Sequence, residues 1–397
     1  MRRLEGREFL QTVFVLCPVF VLVTFCTAVL GMAAEWKWPK SISISTADTT
    51  SGVYVALSSA MIEMDRMTGM KVRVIPESAM AQKLRWLKDG ETDFHGDDHG
   101  SIAVLSMMAE DEYAKIGPIQ ATSVWNIFNA FSAFIVRRDS DIKTIYDIKK
   151  HHKIAAYVGV RASYLVCEAL LKWVGVDAVI VPCATWPSTQ KAVIEGRADI
   201  NLIVTTSGPA YEAEAFPAGI RCLELPAETD PEGAKRFLKV ARVRSIARVE
   251  DGIKPCLGKI SVAMPFSIHA RKELDPELVY HFVKWLAENH NTYKDKHLTC
   301  KYMNIDYATS FLRTSALPIH EGTIRYLKEK GIWTANDDAR QKYNTELLAR
   351  YITAHKAAMA EADGKKIDIS SKNPKWVELW ESYRKDIPPT VMHLEKK

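Results

Sequence analysis

From Ser41 to Thr46 apolar and polar residues alternate, the period of a half-buried strand with Ile42 and Ile44 facing inward. A small polar loop, Ala47-Asp48-Thr49-Thr50-Ser51-Gly52, stops it. Val53, Leu57, Ala60, Met61 and Met64 then recur at helical spacing, a stripe that reads as core packing. The pattern goes on with a strand over 71–76, a helix over 79–89 and a strand over 93–96. A second series begins after an apolar, phenylalanine-rich crossing at 126–137. It has strands over 153–158, 179–182 and 200–205, alternating with helices over 163–173 and 188–195. Segments 221–226 and 230–258 have no clear period. A long returning strand is expected over 259–270, then helices over 276–289, 323–330 and 338–359. Strand and helix alternating in this way predict an α/β protein whose parallel sheet is covered on both faces.

One phrase occurs in both series. Gly90-Glu91-Thr92-Asp93-Phe94 and Gly196-Arg197-Ala198-Asp199-Ile200 each follow an amphipathic stretch and open an apolar run. A glycine just past a helix can adopt the left-handed conformation that ends it. Two similar lobes are therefore expected, with strand ends meeting at a crevice and extended crossovers serving as a hinge. The expected organisation is a leader over 1–34, lobe one over 35–135, lobe two over 136–256, a return to lobe one over 257–335 and a helical extension over 336–397. Trp376 and Trp380, one turn apart in that extension, form an apolar stripe suited to packing against the lobes, with dimerisation as the other use of such a face.

Arg2, Arg3 and Arg7 precede an apolar run ending near Met32, and small residues Ala33 and Ala34 follow. This is the order of a cleaved secretory signal. The alternative is a retained anchor, since about 20 apolar residues can span a bilayer. Formal net charge is +5 over the whole chain, too little at this size to argue for nucleic acid. Cys17 and Cys26 lie in the leader; Cys167, Cys183, Cys222, Cys256 and Cys300 are widely spaced, which does not suggest a disulfide framework.

Further phrases are Ser51-Gly52-Val53-Tyr54, Leu84-Arg85-Trp86-Leu87-Lys88-Asp89, Ile135-Val136-Arg137-Arg138-Asp139-Ser140-Asp141-Ile142-Lys143, Leu274-Asp275-Pro276-Glu277-Leu278-Val279-Tyr280 and Pro318-Ile319-His320-Glu321-Gly322. With the repeated phrase, and in this order, they make the chain resemble the TAXI-subfamily extracytoplasmic solute receptors of TRAP transporters, over roughly residues 42–333. The resemblance implies a type II-like, two-lobed periplasmic binding protein. Such a protein closes on a small carboxylate and delivers it to TRAP membrane subunits; it is expected here as a monomer without a cofactor. Three loops depart from the family pattern: 46–52, His95-Gly96-Asp97-Asp98-His99-Gly100, and Gly159-Val160-Arg161-Ala162-Ser163. These departures bear on the ligand more than on the fold.

Arg161 is the expected anion anchor, because a planar guanidinium fork matches a carboxylate and a helix start near Ser163 adds N–H groups. Its other reading is a solvated surface arginine, or one paired with an acid from the opposite lobe. Thr49, Thr50 and Ser51 stand at the matching place in the first lobe, with helix capping as a compatible role, and Tyr54 is placed as a pocket wall. Ser78 after the second strand and Ser207 after the strand at 200–205 are contacts by the same strand-end reasoning. The stretch Asp93-Phe94-His95-Gly96-Asp97-Asp98-His99 invites a metal reading, but His95 and His99 are not on one helical face, and Asp97 or Asp98 as a helix cap, with His99 reaching into the cleft, is simpler. Trp125 and Trp186 are candidate aromatic walls, with hinge or core packing the alternative. No Gly-x-Ser-x-Gly elbow, phosphate loop or zincin helix occurs, so a receptor is expected and not an enzyme. A sensing subunit that docks on a membrane signalling protein is the remaining alternative.

Overall fold

Two copies of one strand arrangement share a single sheet. A computed structural model describes residues 36–390, so the leader expected over 1–34 lies outside the described residues. The strands are β1 Ser41–Thr46, β2 Lys71–Pro76, β3 Phe94–Asp98, β4 Ala121–Arg137, β5 Lys153–Tyr157, β6 Val179–Cys183, β7 Ile200–Val204, β8 Ile220–Leu223, β9 Ser245–Arg248 and β10 Ile260–Arg271. Their order is β2-β1-β3-β10-β4-β7-β5-β6, with β8 on β4 and β9 on β10. In each half a first strand lies between its two parallel successors, β1 between β2 and β3, β5 between β6 and β7. Each triplet is closed by a long antiparallel strand, β10 on β3 and β4 on β7. β4 and β10 then pair with each other and join the two lobes. Their register shifts between Phe266 and Ser267 and again between Ile268 and His269.

The repeated phrase does the same work twice. Gly90 and Gly196 both have positive φ, 77° and 73°, and end the helices that precede β3 and β7. Asp93 accepts a hydrogen bond from the Ser43 backbone N–H at 2.8 Å, and Asp199 accepts one from the Lys153 N–H at 2.7 Å. The third strand of each lobe is thus clipped to its first.

The helix Gly52–Thr68 buries Val53, Leu57, Ala60, Met61 and Met64 on one face, as the spacing predicts. Its capping residue is Ser51, whose hydroxyl accepts from the Tyr54 N–H at 3.2 Å. The segment without sequence period holds the helix Pro231–Val240 and the short strand β9. At the C-terminal end the helices Ala335–Gly364 and Pro374–Arg384 pack on lobe one: Trp376 and Trp380 are 1% and 3% exposed and stack in parallel. No helix among the described residues is long and apolar enough to cross a membrane.

Candidate functional site

In a parallel sheet the carboxyl ends of the strands and the loops after them open on one side, and here all six parallel strands deliver residues to one cavity of about 500 Å³. Asp48 and Ser51 follow β1, Ser78 follows β2, and Asp97 and Asp98 end β3. From the other lobe come Tyr157 at the end of β5, Thr185 and Trp186 after β6, and Thr206 and Ser207 after β7. Phe128 from β4 and Phe266 from β10 also line the cavity. They stack with their ring centroids 5.1 Å apart, beside the register shift.

The charged groups of the cavity are largely paired. Lys83 forms an ion pair with Asp97, and both side chains are buried. The Arg244 guanidinium donates to both oxygens of Asp98 at 2.8 Å, while Asp98 also accepts from the Ser101 hydroxyl at 2.7 Å and the Gly100 N–H at 3.2 Å. Gly100 is required by this approach, since a Cβ there would lie 2.4 Å from the Val243 carbonyl oxygen. Burial pushes the Tyr157 phenol above its usual range, and the negative charge of Asp48 adds to the shift.

Of the residues expected from sequence, Thr50, Ser51, Ser78, Asp98, Ser163, Trp186 and Ser207 line the cavity. Thr49, Tyr54, His99, Trp125 and Arg161 are not among its lining residues. Arg161 starts the helix two residues earlier than expected, so its side chain runs back along that helix. It sits 5.2 Å from the Tyr164 ring centre and 3.4 Å from the Glu168 carboxylate. His99 turns into the lobe-one core: its Nδ1 is 2.9 Å from His269 Nε2, and its ring meets Phe311 edge-on. Trp125 is fully buried and donates to the Met303 carbonyl at 2.9 Å. Thr49 is an exposed residue at the loop tip, and Tyr54 lies one turn into its helix.

The sequence does not single out Asp48, Lys83, Tyr157 or Arg244, all of which line the cavity. Tyr157 was available from the strand-end rule. Arg244 carried no signal, because it lies in a stretch without periodicity. Among the described residues no group of three or more histidine, cysteine, aspartate or glutamate side chains is arranged to hold a metal ion.

A sequence model of the NMT1-like family matches residues 44–331. No curated protein matches the chain. Among solved structures, it is similar to the periplasmic aliphatic sulphonate binding protein of Escherichia coli at 15% identity, covering 89% of this chain and 96% of that one with a TM-score of 0.41. It is similar to an ancestral arginine-binding protein bound to arginine at 16% identity, over 67% and 98% of the two chains with a TM-score of 0.41. An ATP-bound protein of Xanthomonas citri shares 11% identity over 78% and 99% of the two chains, with a TM-score of 0.42.

Proposed function

Because the chain belongs to the NMT1-like family, we propose that it is a periplasmic solute receptor of the TAXI type. In this reading it holds a small carboxylate-bearing solute in the cavity between its lobes and passes it to TRAP membrane subunits, with no chemistry done on the solute. The observation that carries the reading is the convergence of six parallel strand ends, three from each lobe, on one cavity. A ligand that touches both lobes only when they are shut supplies differential binding free energy, which favours the closed form. The cavity volume, about 500 Å³, is in the ordinary range for small-molecule sites.

A thermal-shift screen of the purified protein against dicarboxylates, amino acids and aromatic acids tests this, because a ligand that binds only the folded form raises the melting point. A clear rise with one of these classes, and recovery of that compound unaltered, is expected. No rise with any small acid, or release of a converted product, would remove the receptor reading.

A further inference from the structure

The cavity lining is unbalanced in charge. Three carboxylates, Asp48, Asp97 and Asp98, stand with two cations, Lys83 and Arg244. Lys83 is committed to Asp97 and Arg244 to Asp98, and these four side chains are at most 7% exposed. Drawing either cation onto an incoming acid would leave a buried carboxylate without its partner, which is unfavourable. A plain dianion therefore meets no uncommitted cation among the described lining residues.

Asp48 is placed differently. Its carboxylate accepts from the Thr50 N–H at 3.0 Å and from the Thr50 hydroxyl, both neutral donors. Tyr157 lines the same cavity from the other lobe, where burial pushes its phenol up and the Asp48 charge adds to that shift. The Tyr157 ring lies against Trp186, with centroids 5.3 Å apart. A carboxylate that shares a cavity with two packed aromatic rings suits a positively charged nitrogen. Elsewhere on the wall, the 14-residue helix Arg161–Val174 begins without a side-chain cap. Ser163 in its first turn is 4% exposed, lines the cavity and has a hydroxyl with no hydrogen-bond partner. An unfilled hydroxyl at a helix start suits a carboxylate. The remaining lining is largely apolar, including Met80, Met264 and the Phe128–Phe266 stack.

We infer that the solute is a zwitterion with an apolar or ring-bearing body, its cationic nitrogen held at Asp48 beside Tyr157 and Trp186 and its carboxylate held at Ser163 and the helix start. The inference rests on the receptor reading of this cavity and names the solute class.

The test is titration calorimetry on the purified protein with three probe sets: apolar and aromatic α-amino acids (leucine, phenylalanine, tryptophan), the same acids lacking the amine, and succinate. At least one amino acid should bind about tenfold or more tighter than its amine-free counterpart, with succinate weaker than both. Asp48→Asn keeps an acceptor for Thr50 and should abolish the preference for the amine; Ser163→Val should weaken both members of a pair alike. Amine-free acids or succinate binding as tightly as the amino acids, or a preference that survives Asp48→Asn, would overturn the inference and leave the receptor reading standing. Binding of none of the probes would overturn it too, and the wider acid screen then decides whether the receptor reading falls with it.

Discussion

Arg244 and Asp98 form a two-pronged pair, both nitrogen–oxygen distances 2.8 Å and both side chains nearly fully buried. The arginine comes from the segment between the helix Pro231–Val240 and β9, the aspartate from the end of β3. Removing one member of such a pair leaves an uncompensated buried charge. Arg244→Ala should lower stability by about 3–5 kcal/mol in urea unfolding. Arg244→Lys, which keeps the charge and loses the fork, should recover only part of that. A lysine variant as stable as the original would show that the fork geometry is irrelevant.

Stability should fall on mild acidification. Burial pushes the rings of His95 and His269 well below their usual range and His99 to about 3. The unfolded chain takes up protons on these rings near pH 6.5 while the folded chain does not. The contribution is therefore full above about pH 6.5 and is lost as pH drops towards the depressed values, with His99 alone accounting for about 2 kcal/mol at about pH 5. Urea midpoints at about pH 7.5 and about pH 5 measure it. Equal midpoints would mean that the three rings titrate normally in the fold.

Two glycine substitutions should behave oppositely. At Gly100 a Cβ would meet the Val243 carbonyl oxygen at 2.4 Å, whereas at Gly208 nothing lies within 4 Å. Gly100→Ala should destabilise by about 1–3 kcal/mol, as overpacking does, and Gly208→Ala, in the first turn of the helix Gly208–Glu214, should be neutral or slightly stabilising. Thermal unfolding of the two variants side by side decides it.

Trp380 anchors the C-terminal helix, donating its indole N–H to the Met108 carbonyl at 2.6 Å and stacking on Trp376. Trp380→Ala should cost about 3–5 kcal/mol. Trp380→Phe should cost less, since it keeps most of the packing and forfeits the hydrogen bond. If both variants unfold at the original denaturant midpoint, the extension adds nothing to the lobe it covers.

The thiols of Cys167, Cys256 and Cys300 should be inert in the folded protein. Burial pushes Cys167 up to about 12 and Cys300 up to about 11, and Cys256 is raised by its contact with Cys222 and by burial. Reaction requires the thiolate. Mass spectrometry after maleimide treatment should find these cysteines unlabelled until denaturant is added; prompt labelling of the native protein would contradict the burial.

The strand and helix series was largely legible in the sequence because it rests on local periodicity. β1 and β2 coincide with the expected segments, and the Gly90 and Gly196 phrases mark equivalent places in the two lobes. The site was legible only as far as the strand-end rule reaches, which is why Ser78, Ser163, Trp186 and Ser207 line the cavity. Arg161 was misplaced by a helix that starts two residues early, a shift that rotates a side chain by more than half a turn. The guanidinium that does line the cavity is Arg244, paired with Asp98, which is 146 residues away in sequence. No local pattern encodes a contact at that separation. The histidines were visible in the sequence, but not the in-register row Ser45, His95, His269 and Ser123 that crosses four adjacent strands.

The slipped register at Phe266, which pairs with Phe128 while Ser267 pairs with Asn126, leaves Ile127 unmatched in the ribbon of β4 and β10 that ties the two lobes. An irregularity of this kind locally disrupts the ladder, and it falls beside Phe266, whose ring forms part of the cavity wall. A molecule held in the cavity would thus rest against a place where the ribbon joining the two halves departs from regular pairing.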